Sequence, residues 1–211
     1  MAEQKVKIVA ECVCDLPTNW LKAHNVDIVY FTIETDRGVF LDTHEITSDN
    51  VISYMLSDGK KAHSSAPEPN VYKETFEKNL AEYDEVILVA ISSGISLSCE
   101  NAAKAVEQLG ENGKRVHIFD SGHLSSGLGH LVIKAAQMAE NGHSASEILE
   151  ALEALKSKVS TSFIAESVDY LYRNGKVSEK VKKICSAFNI HPILVMKNGE
   201  LTLKSVTRGD Y

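Results

Sequence analysis

Two serine-rich segments hold the densest chemistry in the chain: Ser64-Ser65 ahead of Pro67, and Ser92-Ser93-Gly94-Ile95-Ser96-Leu97-Ser98. The second follows an apolar run, 86–91, and leads into a helical pattern, which in an open α/β sheet is the carboxyl edge where ligands gather. Backbone N–H groups at such a helix start point outward and the helix dipole favours an anion, on which hydroxyls from both segments can close. The same serines also serve as ordinary caps and turn residues, a use that needs no ligand. A third polar edge, Asp120-Ser121-Gly122-His123-Leu124-Ser125-Ser126-Gly127, gathers Asp, Ser and His. It admits an alternative, a serine-dependent hydrolase or acyl-transfer enzyme with Ser96 or Ser121 as nucleophile and His123 as base. The Gly-x-Ser-x-Gly elbow of such enzymes is absent, because Gly94-Ile95-Ser96-Leu97-Ser98 lacks its last glycine.

Other reactive residues are dispersed. No Walker loop, dinucleotide fingerprint or His-Glu-x-x-His occurs, so no cofactor is expected, and the 8 histidines show no metal-ligand spacing. Cys12, Cys14, Cys99 and Cys185 form no Cys-x-x-Cys pair and read as buried or half-buried thiols in a reducing compartment. Two residues apart, Cys12 and Cys14 are expected on one face of a strand.

Charge narrows the partners. The chain carries 22 Lys+Arg against 29 Asp+Glu, a formal net charge of −7, which argues against nucleic-acid binding. Its longest apolar runs fall far short of the about 20 residues a membrane span requires, so no stable membrane insertion is expected. Met1-Ala2-Glu3-Gln4-Lys5 is not a signal-peptide opening, and the expected location is the cytoplasm.

The elements that must position these residues follow from periodicity. Apolar residues at 6–10 predict a first strand, and 26–35, rich in Val, Ile, Tyr, Phe and Thr, a second that turns at Asp36-Arg37-Gly38 into 39–41. A helix through Val51 and Leu56 is ended by Gly59 and followed by a polar loop, 63–69. From Asn70 the pattern alternates: helix 71–83, strand 85–91, helix 98–109, strand 115–119, helix 124–140. Ser144-Ala145-Ser146-Glu147 then forms a capping box for a further helix. Continuous apolar strands separated by helices predict an α/β fold, an open and largely parallel sheet with helices on both faces. A first domain is expected over 1–158. Residues 159–211 read as a second, smaller α/β domain that is incomplete: strand 161–165, a short helix 168–172 ending at Gly175, helix 179–188, and strands 190–196 and 201–206 about Asn198-Gly199, a strong hairpin signal.

Six segments in this order carry a resemblance that spans the whole chain. Asp15-Leu16-Pro17, Ser64-Ser65-Ala66-Pro67, Ile91-Ser92-Ser93-Gly94-Ile95-Ser96, Asp120-Ser121, Tyr170-Leu171-Tyr172-Arg173-Asn174-Gly175-Lys176-Val177 and His191-Pro192-Ile193-Leu194 resemble the DegV family of bacterial fatty-acid-binding proteins. The resemblance implies a non-catalytic carrier of two α/β domains. It would hold one long-chain fatty acid in an apolar tunnel and present the carboxylate to a separate ATP-dependent fatty acid kinase subunit. The family's Thr-Ser-Gln-Pro reads Ser64-Ser65-Ala66-Pro67 here, which puts a carboxylate-binding hydroxyl on Ser64 beside Ser65. Its Leu-Ser-Gly-Thr reads Ile95-Ser96-Leu97-Ser98, which puts the second contact on Ser96 and a backbone N–H contact on Leu97. Arg208 stands where members carry an arginine implicated in meeting the kinase. Departures are Ala10-Glu11-Cys12 for the family's Thr-Asp-Ser, and Lys176 for an arginine. Members also continue past the position of Tyr211, with a late His-x-Gly-Pro-Gly loop, so the implied tunnel is expected to be open on one side. Ile33, Ile95, Leu97 and Phe163 are candidate tunnel residues and equally readable as core. A degenerate interaction module that no longer binds lipid is a further reading.

Overall fold

The apolar run at the amino end forms strand β1, Val6–Glu11, buried along its whole length. In the computed structural model, which describes residues 5–58, 61–165, 167–173 and 178–209, it sits inside a parallel four-stranded sheet. A 3-10 turn, Cys12–Cys14, and helix α1, Thr18–Ala23, return the chain to β2, Asp27–Val29. Strands β3, Thr32–Thr35, and β4, Gly38–Leu41, precede helix α2, Ser48–Asp58, and strand β5, His63–Ser65. Helix and strand then alternate as the periodicity predicts: α3, Pro69–Leu80; β6, Glu85–Ala90; α4, Ser98–Gln108; β7, Val116–Asp120; α5, Ser125–Glu140; α6, Ala145–Lys156. The Ser144–Glu147 capping box opens α6, each side chain bonding the other residue's backbone N–H.

The sheet runs β2-β1-β6-β7, with every neighbouring pair parallel. Alternating side chains send Ile8, Ala10, Ile87 and Val89 to one face against Leu128, Leu131, Ile148 and Leu152 of α5 and α6. Val9, Val86, Leu88 and Ala90 go to the other, against Tyr72, Phe76, Ala102 and Ala105 of α3 and α4. Both faces are covered, as strands apolar on both sides require.

Three local expectations are corrected. The single strand expected over 26–35 is two strands in different sheets. β1 ends at Glu11, the partner of Val29, so the ladder has nothing to continue on and the chain leaves. It crosses at Tyr30-Phe31, where the Phe31 N–H donates to Cys12 Sγ at 3.4 Å, and enters a small antiparallel sheet ordered β4-β3-β5. That sheet includes part of the expected loop 63–69, since Ser64 pairs with Ile33 and Ser65 with Thr32. Cys12 and Cys14 lie in the 3-10 turn rather than on a strand, though both are buried. Burial pushes the Cys12 thiol up to about 12 and the Cys14 thiol up to about 11, so neither supplies a thiolate near neutral pH.

Beyond α6, strand β8, Ser162–Ile164, helices α7, Asp169–Arg173, and α8, Glu179–Phe188, and strands β9, Ile190–Lys197, and β10, Glu200–Arg208, follow in order. The three strands form an antiparallel sheet ordered β10-β9-β8. Asn198 (φ 53°) and Gly199 (φ 79°) make the tight turn between β9 and β10, both in the left-handed region that such turns require. The expected helix ends at Gly59 and Gly175, and Lys176, lie outside the described residues. Among the described residues no helix is long and apolar enough to cross a membrane.

Candidate functional site

The segment between β6 and α4 is held from three sides. The Ser92 N–H donates to the His123 carbonyl at 2.9 Å, and its hydroxyl donates to the Gly199 carbonyl at 2.5 Å. Ser93 donates from its hydroxyl (2.5 Å) and its amide (3.3 Å) to Asp120. Partial burial raises the Asp120 carboxyl, but the bonds from Ser93 and the Gly122 amide, with the Lys156 charge, outweigh it and hold the group below the usual carboxylate range. The amides of Ile95 and Ser96 close back on the Ser92 carbonyl at 3.1 and 3.2 Å. The result is a rigid turn that delivers Ser96 and Leu97 to the amino end of α4.

There the half-buried Ser96 hydroxyl accepts from the Ser98 amide at 3.2 Å and lies 3.0 Å from the Ser98 hydroxyl. Leu97 is the N-cap residue and contributes no side-chain cap. Its N–H has no partner among the described residues, and its side chain is 63% exposed. The first turn of α4 therefore presents backbone donors and the positive end of a helix dipole to whatever occupies this edge.

The other serine pair lies on β5, with Ser64 exposed and Ser65 half-buried. The chain just past it is tied to the same helix, because the Asn101 side-chain amide of α4 donates to the Pro67 carbonyl at 2.9 Å. Both serine segments thus attach to α4. Arg208 does not share that place. It is exposed and pairs with Ile190 at the far end of the β9–β10 ribbon, eight residues from Glu200 at the near end, or about 26 Å at about 3.3 Å per residue.

The near end of that ribbon touches the serine loop. Besides the Ser92–Gly199 bond, Gly94 lies so close to the turn that a Cβ placed there would stand 2.4 Å from the Gly199 carbonyl oxygen. Gly94→Ala must push the hairpin away from the loop. We expect a loss of about 1–3 kcal/mol of stability, read from a urea titration. A loss below about 0.5 kcal/mol would mean that the contact is dispensable.

Starting at that turn, one face of the ribbon is apolar on its first three rungs, and the fourth pairs Arg208 with Ile190. Leu201 lies opposite Met196, Leu203 opposite Leu194 with Phe163 beyond it on β8, and Val206 opposite Pro192. The bulge between Leu203 and Ser205 keeps Val206 on this face. Phe163, Leu201, Leu203 and Val206 are all exposed. Of the four candidate tunnel residues, only Ile33 is buried, whereas Ile95, Leu97 and Phe163 are open to solvent. Two surface cavities lie elsewhere, one of about 200 Å³ beside Val6, His24 and Tyr83, the other of about 450 Å³ beside Ile133 and Leu155. Neither is lined by Ser64, Ser65, Ser96 or Leu97.

The hydrolase geometry does not form. The Ser121 hydroxyl is buried and donates to the His123 backbone carbonyl, not to the ring. The ring itself is held between the Thr161 hydroxyl at Nδ1, 2.9 Å, and the Lys156 carbonyl at Nε2, 3.1 Å. The Ser96 hydroxyl lies 3.0 Å from that of Ser98, and among the described residues no imidazole is hydrogen-bonded to it.

One residue of the site escaped sequence reasoning. Glu11, at the carboxyl end of β1, is fully buried, accepts from the Tyr72 phenol, and accepts from the Ile91 amide at 2.7 Å. Its signals were an acid closing an apolar strand and its place in Ala10-Glu11-Cys12, which stands where the family has Thr-Asp-Ser.

Comparison with known proteins agrees with this architecture. The family model described as "uncharacterised protein, DegV family" matches residues 5–210. A DegV domain-containing protein of Caldanaerobacter subterraneus subsp. tengcongensis is 31% identical over 206 residues, covering 98% of this chain and 72% of that one. Among solved structures, a stearic-acid-binding protein from Eubacterium ventriosum superposes with a TM-score of 0.85 at 24% identity, covering 97% of this chain and 71% of the other. The Streptococcus pneumoniae fatty acid kinase B3 protein loaded with linoleic acid superposes with a TM-score of 0.82 at 26% identity, covering 97% and 73%. With residues 5–210 matched by the family model and a relative 31% identical over nearly the whole chain, this chain belongs to the DegV family.

Proposed function

We propose that this protein is a non-catalytic carrier that binds one long-chain fatty acid in the cytoplasm and presents its carboxylate to a separate kinase subunit. Ser64, Ser65, Ser96 and the Leu97 N–H hold the head group, within a first domain over 1–158. The acyl chain leaves along the apolar face of β8, β9 and β10, within a second domain over 159–211. The observation that carries this reading is the row of apolar rungs that begins at the turn touching the serine loop. A polar anion subsite joined to an unpartnered apolar strip is what a fatty acid needs and what a small polar ligand does not. Relatives named for stearic or linoleic acid support the ligand class, and the kinase B3 relative supports the partner. Arg208 is the residue we assign to that partner, a reading supported by its exposure and by its position at the end of the ribbon remote from the serine loop. Four free thiols, two of them buried, suit a reducing compartment.

Mass spectrometry of an organic extract from the purified protein tests the reading. It should contain a fatty acid in the C16–C18 range at close to one per chain. No acid in the extract, together with no uptake of added oleate, would contradict it.

A further inference from the structure

Asp120 closes β7 and bonds to the serine loop across the carboxyl edge of the sheet. The backbones of the two loops are already laced together. The Ser121 amide donates to the Ala90 carbonyl at 3.1 Å, and the Ser92 amide to the His123 carbonyl at 2.9 Å. Into this frame the Asp120 carboxylate adds three bonds. Its Oδ1 accepts from the Ser93 amide at 3.3 Å and the Gly122 amide at 2.9 Å, and its Oδ2 accepts from the Ser93 hydroxyl at 2.5 Å. Ser93 is exposed and makes no other hydrogen bond among the described residues, so this side chain is what restrains the loop three residues before Ser96.

An acid at this place needs a reason, because a fixed negative charge near an anion site repels the ligand. Partial burial works against the charge, but the bonds from Ser93 and Gly122 and the Lys156 ammonium keep the group ionised. Lys156 also donates to the Asp120 backbone carbonyl at 2.7 Å, which offsets the charge locally. What an ionised carboxylate supplies here is acceptance alone: it takes all three donors at once and offers no hydrogen of its own. The two roles of the acid predict opposite signs. As a charge, its removal strengthens the binding of an anion; as a brace, its removal weakens it.

We propose that Asp120 is a positioning residue of the head-group site: by tying Ser93 down, it fixes the loop that presents Ser96 and the Leu97 N–H, and so favours a free fatty acid with an ionised head over a neutral amphiphile of the same chain. This rests on the reading of Ser96 and Leu97 as head-group contacts. Donors held in place need no ordering when the ligand arrives. Hydrogen bonds to a charged head are roughly twice as strong as those to a neutral one, so a loosened loop harms the acid more than the alcohol.

The test compares oleate with oleyl alcohol, each titrated into the full chain at one pH and one ionic strength. Asp120→Ala should weaken oleate binding about tenfold and oleyl alcohol binding by less than about threefold. Asp120→Asn also lacks the charge, but its carbonyl can accept from both amides and its NH2 can donate to the Ser93 oxygen. It should bring oleate affinity back to within about threefold of the wild type. Ser93→Ala keeps the acid and cuts the hydroxyl tie; it should weaken oleate more than the alcohol, and it serves if Asp120→Ala does not fold. Oleate binding by Asp120→Ala as tight as the wild type or tighter overturns the proposal. So does an equal loss of both ligands, which is what a merely structural role would give. If Ser96→Ala weakens oleate binding while Asp120→Ala and Ser93→Ala do not, only the positioning fails. If Ser96→Ala leaves oleate affinity unchanged, the head-group reading fails and the positioning falls with it.

Discussion

Phe76→Ala is expected to remove about 3–5 kcal/mol of folding free energy, a large part of the about 5–15 kcal/mol that a native domain commands. Phe76 is fully buried on α3, with its ring centroid 6.1 Å from that of Tyr72, in the cluster that includes Val86, Leu88 and Ala105. Truncation loses the transfer energy of the ring and leaves a cavity. Its walls are parallel strands fixed by ladders on both sides and cannot relax into the space. A urea titration should show a lower midpoint with an unchanged slope. A loss under about 1 kcal/mol would contradict the packing described for this face. Because Tyr72 also holds Glu11, the variant should disturb the floor of the serine site as well.

Ser96→Ala is expected to weaken oleate binding about tenfold to about a hundredfold. One hydrogen bond to a charged group contributes roughly 1.5–3 kcal/mol, and each about 1.4 kcal/mol is a factor of ten in affinity. Ser126→Ala is the matched control. Ser126 is an exposed serine in the first turn of α5, at the amino end of a different helix. Equal effects from the two variants, measured by direct titration at one pH, would refute the assignment of the head group to the β6–α4 loop. Alanine at 96 also removes the oxygen that accepts from the Ser98 amide, so the unliganded melting temperature of each variant belongs beside its affinity.

Where local pattern suffices, the sequence was legible. The capping box at Ser144 and Glu147, the Asn198-Gly199 turn, and the alternation of strands with helices from α3 to α6 all appear as expected, because caps, turn residues and periodicity act over a few residues. The split of 26–35 was not legible. It depends on where β1 stops supplying partners, some twenty residues away. Nor was β5, whose two serines gain strand geometry only by pairing with Ile33 and Thr32.

Glu11 is the sharpest case. Charged residues are rarely buried unless paired, so an acid after Val6–Ala10 reads as the exposed end of a strand. Its principal partner, Tyr72, is 61 residues away and its amide donor, Ile91, is 80 residues away. For the site, the residue types and the loop were visible in the sequence, whereas the apolar rungs beside it were not. Their common face depends on the register of β9 against β10 and on the bulge at Leu203 and Ser205.

A crystal structure of the protein with oleate bound bears most directly on whether this serine loop grips the acid. A carboxylate oxygen about 2.7–3.0 Å from Ser96 Oγ, with the alkyl chain lying over Leu201 and Leu203, is the predicted result. A head group in the cavity beside His24 and Tyr83, or a chain that avoids the β9–β10 ribbon, would contradict it.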